Sequence, residues 1–284
     1  MNENHIYGTL YLVSTPIGNI NDITLRAIST LKNVEIILTE DTRVTSKLLK
    51  YHSVISKPSL ESFNEINEDK KTPKIISELK NGKNIALVSD AGTPLISDPG
   101  YKFIRYARDN NIKVEPIPGC SALIAAITAS GLPSDRFSFY GFLPRSSSKR
   151  IAQLSELNHN KETLIFYESV HRIQSSVQDM INVFGGNRHA VLCKEITKIH
   201  ESFIGETLSD ISYFLAENKE KIKGEFTIVI HGYSAGEGFT EDIDEILRLL
   251  MRDLSLKKAV EIATKVTSVR KSKIYDRALK IKNQ

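Results

Sequence analysis

Short β-rich runs alternate with longer helical patterns along this chain, and that alternation confines it to the α/β class. The first runs are a strand over residues 7–14, a helix over 22–32, a strand over 35–39 and a helix over 42–51. The first helix follows Asp22, an N-cap residue type, and sets Ile23, Ala27, Ile28 and Leu31 on one face. A helix over 73–80, a strand over 84–89, a helix over 101–110 and a strand over 113–117 complete a first α/β unit.

Pro116-Ile117-Pro118-Gly119 then restrains the backbone on both sides of one residue and adds a permissive glycine, the composition of a joint between lobes. Beyond it the pattern predicts helices over 121–130, 149–157, 170–183 and 208–217. Strands are predicted over 137–142, 163–167, 190–194, 203–206 and 226–231, which suggests a mixed sheet. Gly232-Tyr233-Ser234-Ala235-Gly236-Glu237-Gly238 reads as a linker. Three short helical patterns follow. The expected division is 1–118, 119–234 and a basic helical extension, 235–284.

A chain of 284 residues that is 40% hydrophobic can bury more than one core. Its formal charge of +4 is too small to announce a nucleic-acid partner, so any basic argument must be local. From Ser255 onward Lys257, Lys258, Lys265, Arg270, Lys271, Lys273, Arg277, Lys280 and Lys282 face only Glu261 and Asp276. That run, like Arg145 to Arg150, suits either a solvated helical face or an RNA contact. Cys120 and Cys193 lack the spacing of a disulfide framework or zinc site, and the seven histidines are scattered, so no metal is expected. Met1 to His5 has no basic region feeding an apolar stretch, and no apolar segment is long enough to span a bilayer; a cytoplasmic protein with no membrane partner is expected.

Three loops that follow strands combine Gly, Pro and acidic residues. Ser14-Thr15-Pro16-Ile17-Gly18-Asn19 lacks the spacing of a dinucleotide fingerprint and suits either a tight turn or a ligand loop. In residues 89–100, Ala91 and Gly92 allow close approach of a ligand to the backbone, and Asp90 or Asp98 can accept hydrogen bonds from one. Asp98 can equally cap the next helix, with Pro99 at its first position. Glu40-Asp41-Thr42-Arg43 reads either as a base with an orienting partner or as an N-cap followed by a surface ion pair.

Taken together, residues 8–19, Glu40-Asp41-Thr42-Arg43, residues 89–100, Pro116 to Ala122, Ser130-Gly131-Leu132-Pro133 and Gly141-Phe142-Leu143-Pro144 resemble the signature blocks of the ribosomal RNA small subunit methyltransferase I family, in the tetrapyrrole-methylase superfamily. The likeness runs in order through Thr163 to Glu168 and Lys223-Gly224-Glu225. The resemblance implies two α/β lobes with S-adenosylmethionine in the cleft between them, and a homodimer. It also implies methylation of the ribose 2′-hydroxyl of a cytidine in the decoding region of 16S ribosomal RNA, with naked RNA or an assembled small subunit as partner.

Cofactor-facing positions carried over by the resemblance are Pro16, Ile17 and Gly18, then Asp90, Ala91, Gly92 and Asp98, Ser121 and Ala122, Leu143, and Gly224, Glu225, Phe226 and Thr227. A ribose hydroxyl needs a base to take its proton during in-line transfer, and Glu40, Asp41, Glu168 and Glu195 are candidates at strand ends. Arg43 or His171 would grip phosphate or base, and the Glu40 to Arg43 motif is expected to face the acceptor. Glu168 and His171 also suit an internal hydrogen-bonded pair. Val170 and Lys194 stand where the family usually has Pro and Arg.

Overall fold

The computed structural model describes residues 7–54, 56, 58–234, 240–267 and 271–282. Its first sheet is wholly parallel, with β1 (Thr9–Val13), β2 (Ile36–Thr39), β3 (Ser59–Ser62), β4 (Ile85–Val88) and β5 (Lys113–Ile117) in the order β3-β2-β4-β1-β5. Helices α1 (Leu25–Asn33), α2 (Thr42–Tyr51), α3 (Glu68–Lys80) and α4 (Tyr101–Asp109) cover it. Ile36, Leu38, Ile85 and Leu87 pack toward Phe63, Leu79 and Phe103, while Ile37, Ala86 and Val88 pack toward Ala27, Leu31 and Leu48. Burial on both faces explains why β2 and β4 read as unbroken apolar runs.

Two expectations are corrected here, and one strand has no counterpart in the sequence reading. The edge strand β3 was not anticipated, because its Ser-Leu-Glu-Ser sequence is polar and mostly half-buried. The helix expected from Pro73 begins at Glu68 and contains Pro73; Glu68 is buried and accepts the Phe103 N–H at 3.0 Å, a tertiary anchor with no local signature. Asp22 does not cap α1. It ends a short 3-10 turn, and Thr24 Oγ1 accepts the Ala27 N–H at 3.1 Å instead. Thr24→Ala should therefore lower stability by about 1 kcal/mol in urea unfolding, with Asp22→Ala falling short of a cap's loss.

The second sheet is mixed, as expected. It comprises β6 (Phe137–Phe142), β7 (Thr163–Ser169), β8 (Ala190–Lys194), β9 (Ser202–Ile204) and β10 (Glu225–Ile230) in the order β6-β7-β10-β8-β9. Only β6 and β7 run parallel; the other pairs are antiparallel. Helix α5 (Ala122–Ala129) covers one face through Leu123, Ala126 and Ile127, and Ile17 of the opening loop joins that cluster. Helices α6 (Ser147–Leu157), α7 (Ile173–Phe184) and α8 (Leu208–Glu217) bury Leu154, Val177 and Ile211 on the other face.

Helices α9 (Thr240–Asp253), α10 (Leu256–Thr267) and α11 (Lys271–Lys282) enclose a separate small core of Ile243, Leu247, Val260, Ala263, Ile274 and Ala278. Arg277 and Asp244 tie α11 to α9. The linker expected over 232–238 extends outside the described residues, which stop at 234 and resume at 240, and Arg270 also lies outside them. No helix among the described residues is long and apolar enough to cross a membrane.

Candidate active site

The carboxyl ends of β1, β2 and β4 deliver three loops to one side of a cavity of about 520 Å³. The end of β7, the start of β10 and the first residues of α5 form the opposite side. That volume and its largely apolar wall suit a cofactor-sized ligand.

On the first side, Ile17, Glu40, Asp90, Ala91, Gly92 and Asp98 line the cavity. The opening loop and the β4 loop are joined by reciprocal backbone hydrogen bonds, Thr15 N to Gly92 O at 2.9 Å and Gly92 N to Thr15 O at 3.1 Å. Thr93 Oγ1 donates to Cys120 O at 2.9 Å, drawing the turn after β5 against the same loop. The β4 loop carries Gly92, Leu95, Ser97 and Gly100 at positive φ, with Leu95 at 73° and Ser97 at 67°. Strain of this kind persists where surroundings over-determine the backbone, and it concentrates at functional sites.

Gly92 has φ +87°, and a Cβ there would sit 3.2 Å from Ile17 Cγ2. Gly92→Val adds a β-branched side chain to that conformation at a cost of about 1–3 kcal/mol. The expected result is roughly 5- to 150-fold weaker S-adenosylmethionine binding in calorimetry, while Gly131→Ala, which meets the same kind of positive φ (+72°) outside the cavity lining, leaves binding near wild type.

Three acids share the cavity wall. Burial raises the Glu40 carboxyl above the ordinary carboxylate range, and the nearby charges of Asp98 and Asp90 raise it further. Burial likewise raises Asp98; a Ser89 hydrogen bond opposes the shift and Asp90 adds to it. Asp98 Oδ2 is buried without a hydrogen-bond partner among the described residues. Such an atom calls for a ligand donor or a cation. Asp98 does not cap α4. Gly100, at φ +120°, occupies the cap position and leaves Asp98 in the cavity wall.

On the second side lie Ser121, Ala122, Glu168, His171, Gly224, Glu225, Phe226 and Thr227. Tyr167, Phe142 and Ile196 also line the cavity and were not among the anticipated site residues. Their apolar positions in strands and turns read as core. The Tyr167 hydroxyl accepts the Leu123 N–H at 3.1 Å, and burial pushes its pKa up.

Other anticipated residues stand elsewhere. Pro16 and Gly18 lie beside the lining residue Ile17, and a Cβ on Gly18 would come within 2.5 Å of Lys198 Cγ. Gly18 therefore serves the close approach of the opening loop to the turn after β8, where Asn19 N donates to Thr197 Oγ1 at 3.0 Å. Leu143 is buried in the helix-covered core. Glu195 sits outside the lining, bound to Lys198 Nζ at 2.7 Å and to the Glu225 N–H at 2.9 Å.

Of the Glu40 to Arg43 motif, only Glu40 lines the cavity. Asp41 Oδ1 accepts the Arg43 N–H at 2.8 Å as the cap of α2, and the two side chains pair at 2.7 Å. The Arg43 hydrogen bond holds the Asp41 carboxyl down to about 2. Glu168 does not pair with His171. Its buried carboxylate accepts from Ser176 Oγ at 2.6 Å and the Ser169 N–H at 2.7 Å, and it pairs with Arg172 at 2.8 Å. Those three partners engage most of its lone pairs within the fold, while Glu168 also lines the cavity.

The model of the Tetrapyrrole (Corrin/Porphyrin) Methylases matches residues 9–212, and that of the RsmI C-terminal HTH domain matches residues 237–282. Ribosomal RNA small subunit methyltransferase I of Vibrio cholerae is 45% identical over 94% of this chain and 92% of its own length. The protein of that name from Escherichia coli O157:H7 is 42% identical over 96% of this chain and 95% of its own. The chain belongs to the ribosomal RNA small subunit methyltransferase I family.

Two solved structures share the fold of this family member. Uroporphyrin-III C-methyltransferase from Thermus thermophilus, in complex with S-adenosylhomocysteine, superposes with a TM-score of 0.54 at 18% identity, covering 79% of this chain and 97% of that one. A diphthine synthase gives 0.59 at 14% identity, covering 79% and 90%. The family member is an S-adenosylmethionine-dependent methyltransferase. Its cavity fits that cofactor: the volume suffices, and the acids, with an orphaned Asp98 oxygen, suit a cationic ligand.

Proposed function

We propose that this methyltransferase modifies the ribose 2′-hydroxyl of a cytidine in the decoding region of 16S ribosomal RNA. The names of the full-length relatives support the RNA substrate, and the signature blocks support the position. The observation that carries the chemistry is Glu40, a carboxylate made more basic by burial and two acidic neighbours, in the wall of a cofactor-sized cavity.

Bound S-adenosylmethionine supplies an electrophilic methyl group on a sulfonium. Ile17, Ala91, Gly92, Ser121, Ala122 and Gly224 to Thr227 would hold it, with Asp90 and Asp98 facing its positive charge. Glu40 takes the proton of the ribose hydroxyl as the new bond forms, and burial together with its two acidic neighbours makes it a stronger base. Asp41 and Arg43 fix the start of α2, and Glu168 fixes the end of β7. His171, exposed on the cavity rim, is placed to meet an RNA phosphate.

In this reading residues 1–118 and 119–234 carry the catalytic unit, 235–284 is an RNA arm, and the enzyme works in the cytoplasm as a homodimer. Lys271, Lys273 and Lys280 are exposed on α11. Replacing all three by Gln should reduce the slope of log affinity against log salt by about one per lysine. An unchanged slope would remove α11 from the interface.

The decisive experiment is transfer of labelled methyl from S-adenosylmethionine to small ribosomal subunits that lack ribose methylation, with mapping of the product. The expected product is a 2′-O-methylcytidine in the decoding region. Cofactor binding without label on subunits or naked RNA would overturn the proposal.

A further inference from the structure

Strand β6 contains an irregularity that the methyl-transfer chemistry does not require. Its register with β7 runs Phe137 to Thr163, Ser138 to Leu164 and Phe139 to Ile165, then resumes at Phe142 opposite Tyr167. Three steps on β6 therefore match two on β7, and Gly141 occupies φ +63° within the shift. Such a bulge re-aims the side chain that follows it.

The consequence falls on Phe142. Tyr140 stacks on Phe166 in the core beneath α6 to α8, and strict alternation would send Phe142 to that same face. Instead the Phe142 ring meets Tyr167 edge-on at 5.7 Å, as Phe139 does at 4.8 Å, and it lines the cavity while 55% exposed. A large aromatic has been taken out of the core and set at the cavity mouth.

The chain just beyond Phe142 is held by two arginines. Arg172 donates to Leu143 O at 3.0 Å, and Arg150 donates to Pro144 O at 3.2 Å and Arg145 O at 3.4 Å. Each guanidinium is neutralised, Arg172 by Glu168 and Arg150 by Asp179. Three successive carbonyls are thus fixed, and an aromatic pinned in this way loses little freedom when a ligand stacks on it. Arg145 and Lys149, both exposed, follow directly.

We propose that Phe142 is a stacking platform for a nucleobase of the RNA substrate, with Arg145 and Lys149 taking adjacent phosphates. The inference rests on the RNA reading above and adds a residue that positions the acceptor. Unpaired nucleotides are recognised by aromatic faces beside cations. The cofactor has no phosphate for those two cations to meet.

The test compares wild type with Phe142→Ala, Phe142→Leu and Phe142→Trp on small ribosomal subunits lacking ribose methylation, measuring KM, kcat and S-adenosylmethionine affinity. Phe142→Ala and Phe142→Leu are expected to raise KM for subunits about 5- to 150-fold. Phe142→Trp should restore it, with cofactor affinity unaltered throughout. A Leu variant equal to wild type, or lost cofactor affinity with unchanged KM, would overturn the platform while leaving the RNA reading intact. Absence of transfer by the wild-type enzyme would remove both.

Discussion

Glu40→Gln is expected to lower kcat by about 10²- to 10⁴-fold while cofactor affinity stays near wild type, the loss typical of a removed general base. The amide keeps the size and position of the side chain but cannot take the proton. The wild-type rate should rise with pH through a carboxylate pKa above the ordinary value, because only ionised Glu40 is competent. The variant should lack that limb. Asp98→Asn removes one of the charges that raise Glu40 and should move the limb to lower pH. Stopped-flow or single-turnover methyl transfer across pH 4 to 8 reads both effects, and full activity of Glu40→Gln would dismiss the residue as base.

Asp179→Ala should destabilise the enzyme by about 3–5 kcal/mol, measured as a lower urea midpoint, because it strands a buried guanidinium. Arg150 is 3% and Asp179 10% exposed at the side chain. Asp179 also accepts from Ser147 Oγ at 2.9 Å, so the first turn of α6 loses a partner. Removing both members, as Arg150→Met with Asp179→Leu, should recover much of the loss, since no unpaired charge remains. A single variant as stable as wild type would show that the pair contributes nothing.

Local patterning carried most of the architecture. The runs Ile36–Thr39 and Ile85–Val88 read as strands because they alternate with helical patterns, and the mixed second sheet followed from strand pairs joined by helices. What escaped was set by partners distant in sequence. The start of α3 depends on Glu68 meeting Phe103, thirty-five residues away, and Pro73 is a louder but misleading local signal. At the site, polar loop residues such as Glu40 and Asp90 were legible because acids at strand ends are conspicuous. Phe142 and Tyr167 were not, because an aromatic in a strand reads as core until a bulge is seen. Spacing alone also could not separate Glu40 from its neighbour Asp41, since both roles suit an acid at that turn; the side chain directed to its own helix settled which one caps.

The position of β10 has a consequence for how the enzyme is made. Last of the sheet strands to be synthesised, it is inserted between β7 and β8 and carries Phe226 and Thr227 into the cavity. A nascent chain that has released β6 to β9 therefore has a slot at the centre of its second sheet, with the edges of β7 and β8 unpaired. Those edges remain open for the seconds that ribosomes need, at about 5–20 residues per second, to extrude the segment from β9 to the end of β10. The first sheet has a comparable slot earlier in synthesis, since β4 enters between β2 and β1 after both have been made, and it is complete by Ile117. Truncated or stalled chains ending before Glu225 should accordingly be the species that chaperones retain, while chains stalled beyond Ile230 should already protect the cavity from proteolysis.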